Sequence, residues 1–268
     1  MLVDGVMLLW FGLVVLSVAF VAIDIRTTPE NPVMKWGFVL ITLYSGPFGA
    51  FFYVLGCREP LPGLHERYVA ARWRQVLGST MHCVAGDGVG ILAGAVIGSV
   101  VPLSVPIEVA LEYVLGFGFG WVIFQSLFMR EMFGSFAASL KGTFRSELLS
   151  MNCMMGGMIP MSALAWAGSA AAHDPTEPLF WFRMSIALMT GFVVAYPMNW
   201  WLVANHLKHG MMTVRHPNDP YAHKEQTAMT MPKRPPVTTP SIAVMTVVSI
   251  LVLATGVAIA WVFGGLTQ

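Results

Sequence analysis

The chain has 268 residues and a formal net charge of +1; 56% of its residues are hydrophobic and only 11% are charged. Soluble domains carry about 25% charged residues, so this composition, with a mean hydropathy of +0.68, excludes an ordinary soluble domain. It also gives no sign of a nucleic-acid partner. We therefore expect an all-α polytopic protein whose main partner is the lipid bilayer.

Seven apolar stretches are long enough to cross a bilayer, which requires ~20 residues. In chain order they occupy residues 6–24, 36–56, 79–101, 107–129, 148–170, 182–206 and 241–264. When the loops are assigned alternately to two sides, most Lys and Arg residues share one side, and only Arg26, Lys35 and Arg183 lie on the other. The positive-inside rule then predicts a transmembrane helical bundle of about seven spans with a cytoplasmic N-terminus and an external C-terminus.

These spans divide the chain into four predicted regions. Residues 1–74 hold two N-terminal transmembrane helices and a basic interfacial helix, and residues 75–215 form a four-helix membrane core. Residues 216–240 are rich in proline and charge and predict a cytoplasmic polar loop. Residues 241–268 hold a C-terminal transmembrane helix.

The third span combines a ladder of small residues with three polar ones. Glycine recurs every fourth residue at the packing positions Gly86, Gly90, Gly94 and Gly98, which lets a neighbouring helix approach closely. At ~100° per residue, His82, Cys83 and Asp87 fall within the same arc. Ionisable residues at such depth are costly and mark function by default, so we predict a site buried between helices.

Sulfur and imidazole groups recur in the fifth and sixth spans. Five methionines share one face of span five: Met151, Met154, Met155, Met158 and Met161. In span six, Pro197 bends the helix and turns Met198 and Asn199 inward, with His206 further along the same face. We expect these groups to lie level with His82 and Cys83 near the cytoplasmic side, with Asn199 as a packing contact. Thiolate, thioether and imidazole ligands suit Cu(I) or another soft ion.

Three sequence elements resemble a bacterial polytopic membrane-protein family known only as a domain of unknown function, the DUF4396-type family. They are H-C-x-x-G at His82, the Met- and Gly-rich stretch 151–161, and Y-P-x-N-W-W-L followed by K-H-G-M, spanning 196–211. The similarity covers roughly residues 75–215. It implies a helical bundle in the bacterial inner membrane and a loose association with copper handling, with no established catalytic residues.

The leading hypothesis is an integral membrane protein that binds or translocates a soft transition metal, with copper as first candidate. Its predicted ligands are His82, Cys83, Asp87, Met154, Met158, Met198 and His206. The alternative is a non-catalytic accessory subunit that docks into a larger membrane complex, or onto copies of itself, through the glycine ladder. A third hypothesis is a haem protein with His82 and His206 as axial ligands. The sequence shows no nucleophile paired with a base, so it gives no reason to predict an enzyme.

Overall fold

The structure is a computed structural model, which describes residues 2–215 and 238–264. Within those ranges the chain is helical, and its β-pairing is confined to an isolated bridge between Glu30 and Thr213. The predicted polar loop at 216–240 lies almost wholly outside the described residues.

The helices are α1 (Leu2–Asp24), α2 (Pro32–Ser45), α3 (Pro47–Gly56), α4 (His65–Val69), α5 (Arg72–Val100), α6 (Val105–Gly118), a π-helical segment (Phe119–Gln125), α7 (Ser126–Phe133), α8 (Phe136–Leu164), a short 3₁₀ turn (Ala170–Ala172), α9 (Pro178–Ala204) and α10 (Thr239–Phe263). The predicted basic interfacial helix in residues 1–74 is reduced to the single turn of α4.

Five helices of the described chain are long and apolar enough to cross a membrane, and the protein is therefore a membrane protein. They are Asp4–Asp24, Arg72–Val100, Val105–Arg130, Pro178–Ala204 and Thr239–Phe263. The seven predicted spans and the predicted orientation of the termini are not confirmed. Side chains such as Leu8 on α1 and Val262 on α10 are exposed, as expected for surfaces that contact lipid rather than water.

The predicted single span over 36–56 does not form, because the helix breaks at Gly46. This residue has a φ of 55°, a left-handed conformation that suits glycine, and Pro47 then starts α3. The ends of the two helices return to one level: Thr28 bonds the Tyr53 hydroxyl at 2.8 Å. A straight crossing of ~20 residues would separate these two groups by about 30 Å. α2 and α3 therefore form a helical hairpin that enters and leaves the bundle at the same end.

The hairpin packs along the first half of α5. Gly37 on α2 lies against His82, and Gly88 on α5 lies against the Tyr44 ring. On the way back, Gly56 at the end of α3 lies against Leu77. The basic end of the bundle, as we call the end where α5 begins at Arg72, thus also holds both ends of the hairpin.

The glycine ladder of α5 faces α6 inside the bundle. A side-chain carbon added at Gly90 would meet the Leu115 carbonyl, and one added at Gly94 would meet the backbone of Glu112. Because backbone cannot yield as a flexible side chain can, the close approach of α5 and α6 depends on these glycines. Gly86 and Gly98 instead lie against side chains, those of Phe124 and Glu108, respectively.

Helix α8 is the central rod, and it begins well before the predicted span at 148. Gly134, which follows α7, has a φ of 73°, and the Ser135 hydroxyl caps the new helix by accepting the Ala138 N–H. α8 packs on α9 and α10; at its contact with α10, Gly156 and Gly256 lie directly against each other. Glu147, which the predicted boundaries leave outside the membrane core helix, is thereby part of it.

Candidate functional site

Four buried polar side chains from three parts of the chain meet inside the bundle; we call them the core cluster. They are Cys83 and Asp87 of α5, Glu147 of α8, and Lys208 in the segment after α9. The Lys208 ammonium lies 3.1 Å from Glu147 Oε2 and also donates to Cys83 Sγ. The Cys83 thiol donates to Glu147 Oε2 at 3.3 Å. The side chains of Lys208 and Glu147 are both fully inaccessible to solvent.

Asp87 joins the cluster across Gly120 of the π-helical segment. A side-chain carbon at Gly120 would collide with Asp87 Oδ1 and would lie 3.0 Å from Glu147 Oε1. The two carboxyl groups therefore share one small volume that exists only because residue 120 lacks a side chain. Since α5 begins at Arg72 and ends at Val100, Asp87 lies halfway along its helix, at the depth where charge is most costly.

The core cluster has more acceptors than donors. Neither oxygen of Asp87 nor Glu147 Oε1 has a hydrogen-bond partner among the described residues. When both carboxyl groups are ionised, one ammonium faces two negative charges, and an uncompensated buried charge is strongly destabilising. The arrangement therefore holds a place for one further positive charge, either a proton or a cation.

The charge state of Lys208 follows from its neighbours. The ammonium lies 3.1 Å from the Glu147 carboxylate and donates to the Cys83 sulfur, and an opposite charge at this distance favours the charged form of the lysine. It lies between the thiol and the carboxylate.

His82 lies one residue before Cys83 on α5. Its ring packs between Phe124 and Phe128, with ring centroids 5.5 and 5.0 Å away. Both ring nitrogens are buried without a hydrogen-bond partner in the part of the chain that the structure describes. An imidazole without partners in an apolar setting is costly, so it is available to a ligand.

The methionines continue from the core cluster along α8. Met154 and Met158 are buried and lie two and three turns after Glu147 on the same face, by the 3.6-residue period. Gly191 of α9 packs against Met154. Met198 is also buried in the common core. The thioethers thus extend the polar site toward the end of the bundle opposite the basic end.

Asn199 and His206 lie outside the core cluster. Asn199 donates to Ser150 at 2.9 Å and to the Ala195 carbonyl at 3.1 Å, so it ties α9 to α8 one turn beyond Glu147. His206 lies after α9 with a φ of 56° and lines a surface cavity together with Lys208.

Two cavities open at the two ends of the bundle. At the basic end, a cavity of about 220 Å³ is lined by Arg72, His206, Lys208 and His209 among others. At the opposite end, a cavity of about 480 Å³ is lined in part by Glu112 and Arg183. The 29 residues of α5 separate them by ~40 Å. The core cluster lies between them, and Lys208 both lines the cavity at the basic end and belongs to the cluster.

Sequence reasoning missed Glu147 and Lys208 as site residues. Glu147 carried one usable signal, because it shares the helical face of the methionine stripe. Lys208 lies in the K-H-G-M element that carried the family resemblance, but a lysine after a span is ordinarily a surface anchor. Only the fold of the segment after α9 brings it inward.

A helical membrane protein with a charged cluster sealed at mid-depth is the class that these features define. The family model described as "Domain of unknown function (DUF4396)" matches residues 72–208, just over half of the chain. The chain therefore belongs to that family. The match starts at the first residue of α5 and ends at Lys208, so it encloses the whole core cluster. No curated protein and no solved structure matches the chain.

Proposed function

We propose that this protein binds a cation at the core cluster and passes it between the two cavities. The observation that carries the proposal is the buried excess of negative groups, in which Asp87 and one oxygen of Glu147 lack partners. Such groups stay buried only when a ligand or proton repeatedly compensates them. A role in helix packing alone would not offset the free-energy cost of burying these charges, because interhelical hydrogen bonds contribute only ~0.6 kcal/mol on average.

The ligand set favours a soft transition metal, with copper as first candidate. Cys83 and His82 offer sulfur and nitrogen, and Met154 and Met158 extend thioether ligands along α8; these donors suit Cu(I). Asp87 and Glu147 would balance the charge of the ion. His206 and Met198 would act further out, as exchange ligands on either side of the cluster.

Lys208 acts in this proposal as a tethered substitute for the metal. Its ammonium already contacts the thiol and the carboxylate, so ion and lysine compete for one position. Arrival of the metal displaces the ammonium toward the cavity at the basic end, and departure of the metal lets it return. The site is therefore never left without a cation, which keeps the cost of burial low in both states.

Copper binding to purified protein in detergent tests the proposal. We expect one tightly held Cu(I) that Cys83→Ser and His82→Ala remove, whereas Lys208→Met, which removes the competitor, tightens binding at least tenfold. Cys153→Ser is the matched control, because Cys153 is equally buried on α8. Equal and negligible copper in the wild type and in the Cys83 and His82 variants would refute the metal assignment.

We also propose an orientation in the bacterial cytoplasmic membrane. Once residues 32–56 form a hairpin, Arg26 and Lys35 move to the same end as Arg58, Arg72 and Arg74. Among the basic residues of the described chain, Arg183 alone then lies at the opposite end. With α8 crossing as well, the positive-inside rule puts the basic end in the cytoplasm and the N-terminus outside.

Labelling of single introduced cysteines with a membrane-impermeant reagent on intact cells tests this orientation. Thr27 and Arg67 are exposed at the basic end, and Asp174 is exposed at the opposite end. The native cysteines are buried. We expect Asp174→Cys to react and both Thr27→Cys and Arg67→Cys to be protected. If Thr27→Cys reacted from outside and Arg67→Cys did not, residues 36–56 would cross the membrane and the proposed orientation would be wrong.

A further inference from the structure

A second group of metal-ligating side chains lies outside the family domain, at the basic end. Glu30 precedes α2, Cys57 follows α3, and His65 starts α4. All three are buried, and one ligand atom from each lies within 4.8 Å of the others. The hairpin brings these three loops together, so the group exists only because residues 32–56 turn back.

One oxygen of this group lacks a partner. Glu30 Oε1 accepts the backbone N–H groups of Asn31 at 2.9 Å and Met212 at 3.1 Å. Glu30 Oε2 is buried and has no hydrogen-bond partner among the described residues. The carboxylate is thus held in a fixed direction by its first oxygen, while its second oxygen is left without a donor among the described residues.

The imidazole of His65 is oriented from both sides. Its Nδ1 pairs with the Thr213 hydroxyl and its Nε2 with the Cys57 carbonyl, both at 2.9 Å. Because a carbonyl can only accept, Nε2 carries the proton and Nδ1 of the neutral ring carries the lone pair. A metal ion would therefore bind at Nδ1 in place of the Thr213 hydroxyl, while the bond at Nε2 orients the ring. One ring nitrogen lies within 4.8 Å of the Cys57 sulfur and of a Glu30 oxygen. Lys35, whose charge acts on Glu30 and Cys57, directs its ammonium to the Arg26 carbonyl at 3.1 Å.

We propose that Glu30, Cys57 and His65 bind a divalent transition metal, with zinc as the best match. Zinc takes cysteine, histidine and carboxylate ligands in tetrahedral sites, and three protein ligands leave a fourth position for water. Coordination gives the unpartnered Glu30 oxygen its missing partner. The ion would fasten the hairpin to the segment after α9, since the Met212 N–H donates to Glu30. This site shares no ligand with the core cluster.

Cobalt(II) reports such a site, because a cysteine ligand gives a thiolate-to-metal charge-transfer band in the near ultraviolet. We expect the purified full-length chain to take up one Co²⁺ with that band, and added Zn²⁺ to displace it. Cys57→Ser should abolish the band, and Glu30→Gln and His65→Asn should weaken Co²⁺ binding at least tenfold. Cys83→Ser and Cys153→Ser are controls that should retain the band.

Two outcomes would overturn the proposal: no charge-transfer band in the wild type, or a band that Cys57→Ser leaves unchanged. A band that Cys83→Ser removes and Cys57→Ser retains would assign the metal to the core cluster, which refutes this site while supporting the proposed function. Glu30→Gln conserves the shape of the side chain, so the thermal unfolding of this variant shows whether its fold is intact. If it unfolds at the wild-type temperature without metal, but gains no stability from added Zn²⁺, its weaker binding is a ligand effect.

Discussion

Removing the ammonium of Lys208 should destabilise the protein, and removing its partner as well should restore much of the loss. The ion pair with Glu147 spans 3.1 Å and is fully buried. Breaking such a pair from one side costs about 3–5 kcal/mol, whereas replacing both charged groups is often nearly neutral. For a chain of this size each kcal/mol shifts the unfolding temperature by roughly 2–4 °C. Lys208→Met should therefore lower it by roughly 6–20 °C.

The measurement is a double-mutant cycle with Lys208→Met, Glu147→Gln and the combined variant. The nine tryptophans of the chain report unfolding by their fluorescence on heating in detergent. We expect the combined variant to unfold well above either single one, with a coupling of about 2–3 kcal/mol. Lys141→Met is the control, because Lys141 is exposed on the same helix as Glu147. Additive losses, or no loss in Lys208→Met, would refute the buried ion pair.

Two further predictions concern the surroundings of the core cluster. Gly120→Ala inserts a methyl group against Asp87 and should cost about 1–3 kcal/mol in unfolding free energy, whereas Gly118→Ala, which meets nothing within 4 Å, should cost little. Equal effects of the two alanines would contradict the packing at the π-helical segment. Burial, reinforced by His206, lowers the pKa of His209 from 6.5 to about 4, so the unfolded chain binds more protons between these values and stability falls as the pH drops below 6.5. At pH 5 the loss of unfolding free energy is about 2 kcal/mol, and His209→Gln should remove it. Thermal unfolding of the wild type and of His209→Gln at pH 7 and pH 5 measures this loss. If the variant keeps the pH dependence of the wild type, His209 is not a neutral buried group.

The glycine spacing of α5 was informative because close contact between two helices requires residues without a side chain on the contact face. Gly90 and Gly94 lie against backbone of α6, a contact that the four-residue repeat predicts on its own. The reversal at Gly46 was not read from the sequence, since a hairpin and a span present the same apolar composition. The pair Gly46 and Pro47 was the local signal, because together they supply a left-handed residue and a new helix start.

The core cluster was only half predictable for a different reason. Cys83 and Asp87 share a helix with the glycines, so their grouping followed from helical periodicity. Glu147 is 64 residues from Cys83 along the chain, and Lys208 is 125 residues from it. No periodicity links such distant residues, and their charges first suggest a surface position. Their burial depends on how α8 and the segment after α9 fold against α5.

The segment after α9 connects the two groups of ligands mechanically. Lys208 enters the core cluster, and a few residues later Met212 donates to Glu30. The anionic groups of Asp87 and Glu147 lie on helices, whereas the cationic Lys208 lies in the segment after α9, which is not helical. If both proposed sites bind their ions, a displacement of this segment at one site would shift it at the other, and each ion would then alter the affinity of the other by the same factor. Under the proposed function, an ion held by Glu30, Cys57 and His65 would therefore oppose the displacement of Lys208 from the core cluster.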